Sequence, residues 1–227
     1  MKLLYTGKTK DLYDNLDGTY TFKLKDDATG RDGVFDPGEN QVGLRIEGLG
    51  RESLKITKYF FELLESQGIP TQWLGCDLDA VTMRVRPAKN FGHGLEFVCR
   101  RTAGGSFIRR YGAYAQPGQD LNYLVEVTLK DDNRADPPIT KDALIALNIM
   151  TETEFETCKS LTQQIARAIH ADFEPKGLEL SDMKFEFGRA TNGEIILSDE
   201  ISAGCLRVFR NGELIAPMDL AKLILGE

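Results

Sequence analysis

Apolar and polar positions alternate along several short segments of the chain. Residues 3–25 predict an antiparallel meander, with one turn around Gly7 and a second at Asp17-Gly18. Further strand-like stretches lie at 71–75, 80–86, 95–100 and 123–130. The polar, glycine-rich stretch 26–50 predicts an ordered loop with little core of its own.

Apolar residues at helical spacing predict three helices. The first lies between Arg51 and Gln67. The second begins at Thr151, which forms a capping box with Glu154, and ends before Gly177. A short third helix covers about 217–225, with a proline in its first turn. Together with the strands, these helices predict an α+β fold rich in antiparallel sheet.

The last two predicted strands form a hairpin with a chemical pattern. Asp182, Lys184 and Glu186 alternate with apolar residues, so they share one face of the first strand. The second strand runs over 194–200, and pairing Phe187 with Glu194 would place Asp182 opposite Asp199.

Two carboxylates opposite each other on a sheet repel unless a cation lies between them. Oxygen ligands without His or Cys favour Mg²⁺, which usually binds together with the phosphates of a nucleotide. The alternation fits a solvated outer face equally well.

Two further segments suit anions. Gly7-Lys8-Thr9-Lys10 projects two ammonium groups to one side of a turn, as a triphosphate requires, although solvated lysines explain the pattern too. The second segment packs Arg100, Arg101, Arg109 and Arg110 around Gly104-Gly105-Ser106. Guanidinium groups, glycine amides and a hydroxyl together predict an anion site, to which Arg207 could contribute.

Composition limits the classes of function. The net charge of −7 and the pI near 5.1 argue against a general nucleic-acid binder. Four cysteines without C-x-x-C spacing predict reduced thiols and a cytosolic protein. No apolar run is long enough to span a membrane, and the first residues are too weakly apolar for a signal peptide. Length alone allows one large domain or two lobes.

Seven collinear motifs resemble the SAICAR synthetase family. They are YTGKTKDLY (5–13), KDDAT (25–29), QGIPT (67–71), VCRRTAGGSFIRRYG (98–112), VEVTLKDDNRADP (125–137), LSDMKFEFG (180–188) and LSDEIS (197–202). The resemblance implies an α+β fold of two lobes, 1–86 and 87–227, with an ATP cleft between them. It also implies the ATP-dependent ligation of carboxyaminoimidazole ribonucleotide (CAIR) to L-aspartate, which gives SAICAR in purine biosynthesis, and it suggests a homodimer.

The resemblance also implies roles for individual residues. ATP would contact Lys8, Lys10 and Lys130, and Glu186 would lie near its ribose or near the metal. Mg²⁺ would bind Asp182 and Asp199, and the phosphate of the ribonucleotide would bind Arg100, Ser106 and Arg207. Lys184 would lie near the reacting phosphates, and Lys130, Asp132 and Asp136 match a further cleft motif. We expect Lys184, Asp199 and Asp136 to act in catalysis.

The chain departs from the family pattern at positions expected to face the imidazole substrate or the aspartate. Ser202-Ala203-Gly204 stands where the family usually has Ser-Pro-Asp, and Gly30-Arg31-Asp32-Gly33 and Leu49-Gly50-Arg51 also differ. The C-terminal helix is shorter than in many members. Two alternatives follow: a paralogue that uses a modified azole nucleotide or another amine, and a nucleotide-binding module without catalytic activity.

Overall fold

The first sheet confirms the predicted meander and extends it. A computed structural model describes residues 1–39 and 41–227. The five strands of this sheet are, in chain order, β1 (Lys2–Thr6), β2 (Lys10–Asp14), β3 (Tyr20–Leu24), β7 (Trp73–Asp77) and β8 (Thr82–Val85). Their spatial order is β1-β2-β3-β8-β7, with every pair antiparallel. Alternating apolar residues of β3 and β8 face the core.

The predicted loop over 26–50 is largely a second, small sheet. Its strands are β4 (Asp27–Arg31), β5 (Val34–Phe35) and β6 (Val42–Arg45), in the spatial order β5-β4-β6. The prediction of a loop was wrong here because short polar strands carry little apolar alternation. Residue 40 lies outside the described residues.

The third sheet has seven strands. They are β9 (Ala88–Asn90), β10 (Leu95–Thr102), β11 (Asp120–Leu129), β12 (Glu179–Ala190), β13 (Ile195–Ser198), β14 (Leu206–Arg210) and β15 (Glu213–Leu214). The main path is β11-β10-β12-β14-β15, while β9 and β13 pair with the far end of β12. The twelve-residue β12 therefore has β10 and β14 beside its first half and β9 and β13 beside its second half.

All three predicted helices are confirmed. The described residues form five α-helices: α1 (Leu49–Ser66), α2 (Gly105–Tyr111), α3 (Lys141–Ala146), α4 (Glu152–Phe173) and α5 (Pro217–Leu225). The sequence did not predict α2 and α3, which are too short to show a period. At the start of α4, Thr151 and Glu154 form both hydrogen bonds of the capping box.

One hydrophobic core joins the parts of the chain. Phe60 of α1 packs edge-to-face on Phe173 of α4, and Phe97 of β10 packs in the same way on Phe187 of β12. Both contacts belong to a single cluster of buried residues. Because this cluster spans both sides of residue 86, the division into lobes 1–86 and 87–227 stays a prediction. Among the described residues, no helix is long and apolar enough to cross a membrane.

The β12–β13 hairpin is present, but its predicted register is wrong. The strand continues through Gly188 to Ala190, whose N–H donates to the Glu194 carbonyl (2.8 Å). Three residues, 191–193, therefore lie between this last hydrogen-bonded pair. Phe187 consequently lies opposite Leu197 and not Glu194. A glycine in a strand-like pattern looks like a strand end, and ending the strand there shifted every predicted pair.

Candidate active site

Two cavities adjoin on one side of the large sheet. The larger has a volume of about 710 Å³, and the smaller about 120 Å³. Residues 7–10, β3 and the loop after β13 line the larger cavity. Arg100 of β10 and Arg207 of β14 line the smaller cavity. Four residues line both cavities: Glu96, Asp136, Lys184 and Cys205.

Strand β12 connects the two cavities. Asp182, Lys184 and Glu186 lie on one face of the strand, as the alternation predicted. Asp182 lines the small cavity, Lys184 lines both, and Glu186 lines the large one. Because successive residues on one face of a strand are about 7 Å apart, the strand presents three different charged groups along the path between the cavities.

Lysines and carboxylates form a compact cluster at the base of the large cavity. Lys10 forms ion pairs with Asp199 and Glu200, and Lys130 lies 2.5 Å from Glu186. Burial alone would lower the pKa of Lys10, but the two carboxylates outweigh it and hold that pKa well above its ordinary value. Burial and repulsion by Asp199 raise the pKa of Glu186.

Glu200 belongs to the same cluster, and its pKa is also raised by burial and by the charge of Asp199. The pKa of Asp199 is lowered, because Lys10 and Lys130 outweigh the effect of burial. Three carboxyl groups therefore face two ammonium groups, so the cluster is electrically neutral when one carboxyl group is protonated. The raised pKa values of Glu186 and Glu200 reflect this crowding.

Buried side chains fix the segment that carries Asp199. The Gln72 side-chain amide donates to the Asp199 carbonyl (3.0 Å). The Thr57 hydroxyl lies between two acceptors, the Ile201 carbonyl (2.9 Å) and the Ser53 carbonyl of its own helix (2.8 Å). Asp199 itself has a φ of 70°. Two contacts from distant parts of the chain thus hold this segment where its carboxylates point into the large cavity.

The turn between β1 and β2 forms one edge of the large cavity. Lys8 lies 2.6 Å from Asp132, which belongs to the loop after β11. Lys25 donates to the Gly7 carbonyl (2.9 Å) and so anchors the turn to the next strand. The structure therefore brings Lys8 and Lys10 to the same cavity as Lys130 and Glu186, as the sequence predicted.

Arg100 has a different partner on each nitrogen in the small cavity. Its Nε lies 2.5 Å from Glu126, its Nη1 donates to Asp182 (3.1 Å), and its Nη2 donates to Ser106 (2.8 Å). Glu126 also accepts two hydrogen bonds from Arg110. Of the predicted residues, Arg100, Arg110, Arg207 and Ser106 line this cavity, whereas Arg101 and Arg109 do not. Each of the three arginines is already paired with a carboxylate.

Asp182 does not lie opposite Asp199, which corrects the geometry behind the predicted metal pair. Instead it lies between Arg100 on β10 and Arg207 on β14, and Arg207 Nη1 donates to it at 2.8 Å. Only 8% of the Asp182 side chain is exposed. The two guanidinium groups satisfy its charge, so its position is explained without a metal.

The wall between the cavities holds a second set of paired charges. Lys184 lies 2.8 Å from Glu96, whose other oxygen accepts a hydrogen bond from Thr128 (3.1 Å). Asp136 accepts from the Asp131 backbone N–H (2.7 Å) and has a φ of 46°. Burial raises the pKa of Asp136, and the negative charge of Glu96 adds to this.

Cys205 completes the wall as a protonated thiol. Burial and the charge of Glu200 raise the pKa of Cys205 to about 12. Its Sγ donates to the Glu200 carbonyl at 3.5 Å. At neutral pH this side chain is therefore a neutral part of the wall and no nucleophile.

The sequence did not predict four carboxylates of the site: Asp36, Glu96, Glu126 and Glu200. A signal was present for two of them. Glu96 and Glu126 alternate with apolar residues on β10 and β11, as Asp182 and Glu186 do on β12. Acidic residues that alternate with a buried apolar face could thus have been counted as candidates together with the arginines.

The donor set at the base of the large cavity suits Mg²⁺. Glu186 and Asp199 offer oxygen ligands, and a bound cation would favour the ionised forms of both carboxyl groups. Within the described part of the chain, no three His, Cys, Asp or Glu side chains form a complete metal site. That arrangement is typical of Mg²⁺ that binds one or two carboxylates together with phosphates.

Comparisons with known proteins agree with one another. The SAICAR synthetase family profile matches residues 3–219. A phosphoribosylaminoimidazole-succinocarboxamide synthase of Clostridium tetani is 52% identical over 99% of this chain and 100% of its own. One from Thermotoga maritima is 36% identical over 92% of this chain and 86% of its own.

A solved SAICAR synthetase (Type-2) in complex with ADP superposes with a TM-score of 0.86 at 26% identity, covering 100% of this chain and 98% of the other. The fold of this chain is therefore that of the solved SAICAR synthetases, a class of ligase. With a profile match over nearly the whole chain and a 52% identical relative, the chain belongs to the SAICAR synthetase family.

Proposed function

We propose that the chain joins CAIR to L-aspartate with hydrolysis of ATP, giving SAICAR, ADP and phosphate. One observation carries the proposal: a nucleotide-sized cavity and an arginine-lined pocket share the wall that holds Lys184. A ligase that activates a carboxylate on a phosphorylated substrate needs these two sites side by side. The activity of the Clostridium tetani and Thermotoga maritima relatives and the ADP complex of the Type-2 SAICAR synthetase support the choice of substrates.

ATP would occupy the larger cavity, with its phosphates toward Lys8, Lys10 and Lys130. Each of these lysines now pairs with a carboxylate that phosphate oxygens could replace. We assign Mg²⁺ to Glu186 and Asp199. When bound, the ion would neutralise charge on the phosphates.

The phosphate of the ribonucleotide would occupy the smaller cavity. Arg100, Ser106 and Arg207 converge there, and guanidinium groups bind phosphate with paired hydrogen bonds. Asp182 and Glu126 would act as positioning residues, because they fix the orientation of both arginines. With the phosphate held here, the imidazole carboxylate would reach the shared wall.

The shared wall then supplies the groups that the chemistry needs. A carboxylate oxygen of CAIR attacks the γ-phosphorus, the bond to the bridging oxygen breaks, and ADP leaves. The aspartate nitrogen attacks the resulting acyl phosphate, and phosphate departs with one former carboxylate oxygen. Lys184 would stabilise negative charge on the transferring group. Asp136, whose pKa is raised, would accept a proton from the ammonium group of aspartate, and the resulting free amine attacks.

Isotope transfer tests this route. CAIR labelled with ¹⁸O in its carboxylate, incubated with ATP, L-aspartate and the enzyme, should yield phosphate that carries one ¹⁸O. Omission of either CAIR or aspartate should stop the steady-state release of phosphate. Unlabelled phosphate with full turnover would exclude the acyl phosphate.

The identity of the small substrates needs its own test, because Gly204 lines the large cavity where the family usually has a carboxylate. A Cβ built at Gly204 would contact only the Ser202 hydroxyl, at 3.5 Å, so space for a larger side chain exists. ATP binding without turnover of CAIR and aspartate would favour a paralogue with another azole nucleotide or another amine. The homodimer and the cytosolic location stay predictions.

A further inference from the structure

Arg207 contacts two carboxylates, and the two contacts differ in length and in exposure to solvent. Its Nη1 lies 2.8 Å from Asp182, which is almost fully buried. Its Nη2 lies 3.4 Å from Asp36, whose side chain is 40% exposed. Asp36 belongs to the segment between β5 and β6, and it also accepts a hydrogen bond from the Gly38 N–H (2.8 Å). The contact with Asp36 is therefore the longer and the more exposed of the two.

Two glycines allow this arrangement. A Cβ at Gly38 would lie 2.0 Å from Arg207 Nη2, and a Cβ at Gly105 would lie 2.4 Å from Nη1. The guanidinium group thus lies between two stretches of backbone from distant parts of the sequence. Pro37 and Gly38 also line the small cavity, so the segment that carries Asp36 borders the same pocket as Arg207.

The charges of the arginines and of their carboxylate partners at this pocket cancel. Arg100, Arg110 and Arg207 pair with Glu126, Asp182 and Asp36. With Asp36 in place, this set has no surplus of positive charge to attract a phosphate. Removal of the Asp36 carboxylate would leave a surplus of one, and Asp36 is the one carboxylate of the three whose contact is long and exposed.

From this geometry we propose that Asp36 is a specificity-determining residue, which competes with the phosphate of the substrate for Arg207. The inference rests on the proposed function of the small pocket. A phosphate dianion, which forms charge-assisted hydrogen bonds with guanidinium, replaces the weak exposed pair. An anion with less charge gains less from Arg207 and is disfavoured. The contact between Asp36 and Arg207 is then lost only when a phosphate monoester enters the pocket.

Direct binding of ribose 5-phosphate tests the proposal without ATP or turnover. In titration calorimetry of the whole protein at low salt, Asp36→Asn should bind this probe about two- to fivefold more tightly than wild type, the range set by an exposed ion pair. Asn keeps an oxygen that can accept from the Gly38 N–H. Asp79→Asn is the matched control, because it removes the carboxylate of another exposed Asp–Arg pair, and it should leave binding unchanged.

A double-mutant cycle with Arg207→Gln separates the possible outcomes. Arg207→Gln should weaken binding of ribose 5-phosphate, and Asp36→Asn should then have no effect in that background. Unchanged or weaker binding by Asp36→Asn alone would overturn the competition, as would an equal gain with and without Arg207. If Arg207→Gln leaves binding unchanged, Arg207 does not hold the phosphate, and this inference fails while Arg100 and Ser106 can still form the site. If wild type does not bind ribose 5-phosphate at all, the proposed function of the pocket fails as well.

Discussion

Asp199 combines an unusual backbone conformation with the central charge of the large cavity. Its φ of 70° lies in the left-handed region, which Asn tolerates as well as Asp. Asp199→Asn should therefore preserve the fold but remove the negative charge. That charge pairs with Lys10, and we assign the carboxylate that carries it as a ligand of Mg²⁺. We expect kcat to fall on the order of 10²- to 10³-fold, with little change in the melting temperature.

Steady-state kinetics and thermal melts check this prediction. Asp219→Asn is a suitable control, because its ion pair with Lys222 is exposed and neither residue lines the cavity. Wild-type activity in Asp199→Asn would contradict the assignment of the metal.

Arg100 provides a second test at the scale of one residue. Arg100→Lys keeps the charge but loses the fork that reaches Glu126, Asp182 and Ser106 together. We expect the KM for CAIR to rise about 10- to 100-fold, as for the loss of one or two charged hydrogen bonds, while the KM for ATP changes little. Arg109→Lys, an exposed position on the same helix as Ser106, should change neither constant. An equal rise in both KM values would place Arg100 outside the ribonucleotide site.

Local sequence signals explain which site residues could be predicted. Lys8 and Lys10 sit beside a glycine turn, and Arg100 and Ser106 sit beside two glycines, so each set is visible within a few residues. Asp36 could not be found in this way, because its partner Arg207 is 171 residues away. The partner of a charged side chain depends on the order of strands in the sheet, and local sequence patterns do not reveal that order.

At the scale of elements, the N-terminus of α4 carries an ion pair that depends on pH. Glu154 closes the capping box with Thr151 and also accepts from Arg189 Nε at 2.5 Å. The hydrogen bond from Arg189 is the main reason that the pKa of Glu154 is lowered to about 2. A lowered pKa in the folded state stabilises the fold above the unfolded pKa near 4.5, and this contribution is lost as the pH falls toward 2.

Because 21% of the Glu154 side chain is exposed, solvent reduces the contribution. We expect Glu154→Gln to lower the free energy of unfolding by about 1–2 kcal/mol at pH 7 and by almost nothing near pH 2. Urea titrations at both pH values measure the difference. A loss that is equal at pH 7 and pH 2 would show that the charge of Glu154 is not responsible.

Periodic elements were easier to predict than their pairing. The stripe of Cys158, Ile165 and Ile169 is buried along α4, because a helix of this length repeats its apolar face several times. The β12–β13 hairpin has only one turn to set its register, and Gly188 made the position of that turn ambiguous. One wrong turn length moved Asp182 away from two arginines and placed it opposite Asp199, which changed the predicted chemistry.

At the scale of the whole molecule, the large cavity depends on contacts between distant parts of the chain. The segment 199–201 follows β13, yet two residues that precede β8 hold its backbone: Thr57 on α1 and Gln72. The N-terminal helix thus positions carboxylates that belong to the C-terminal half of the sequence. A change in α1 that never touches the cavity should therefore alter catalysis.

Thr57→Val tests this coupling. The two side chains have nearly the same shape, and Thr57 is fully buried. The change therefore removes little except the hydroxyl, which lies 2.8 Å from the Ser53 carbonyl of its own helix and 2.9 Å from the Ile201 carbonyl. A buried carbonyl without its partner costs about 1–3 kcal/mol, and displacement of the segment should lower kcat about tenfold or more. Thr162→Val is a matched control, because Thr162 is equally buried but its hydroxyl donates to Cys158 within its own helix. Thr162→Val should leave kcat unchanged, and equal kcat values for the two variants would mean that α1 supports the fold without positioning Asp199.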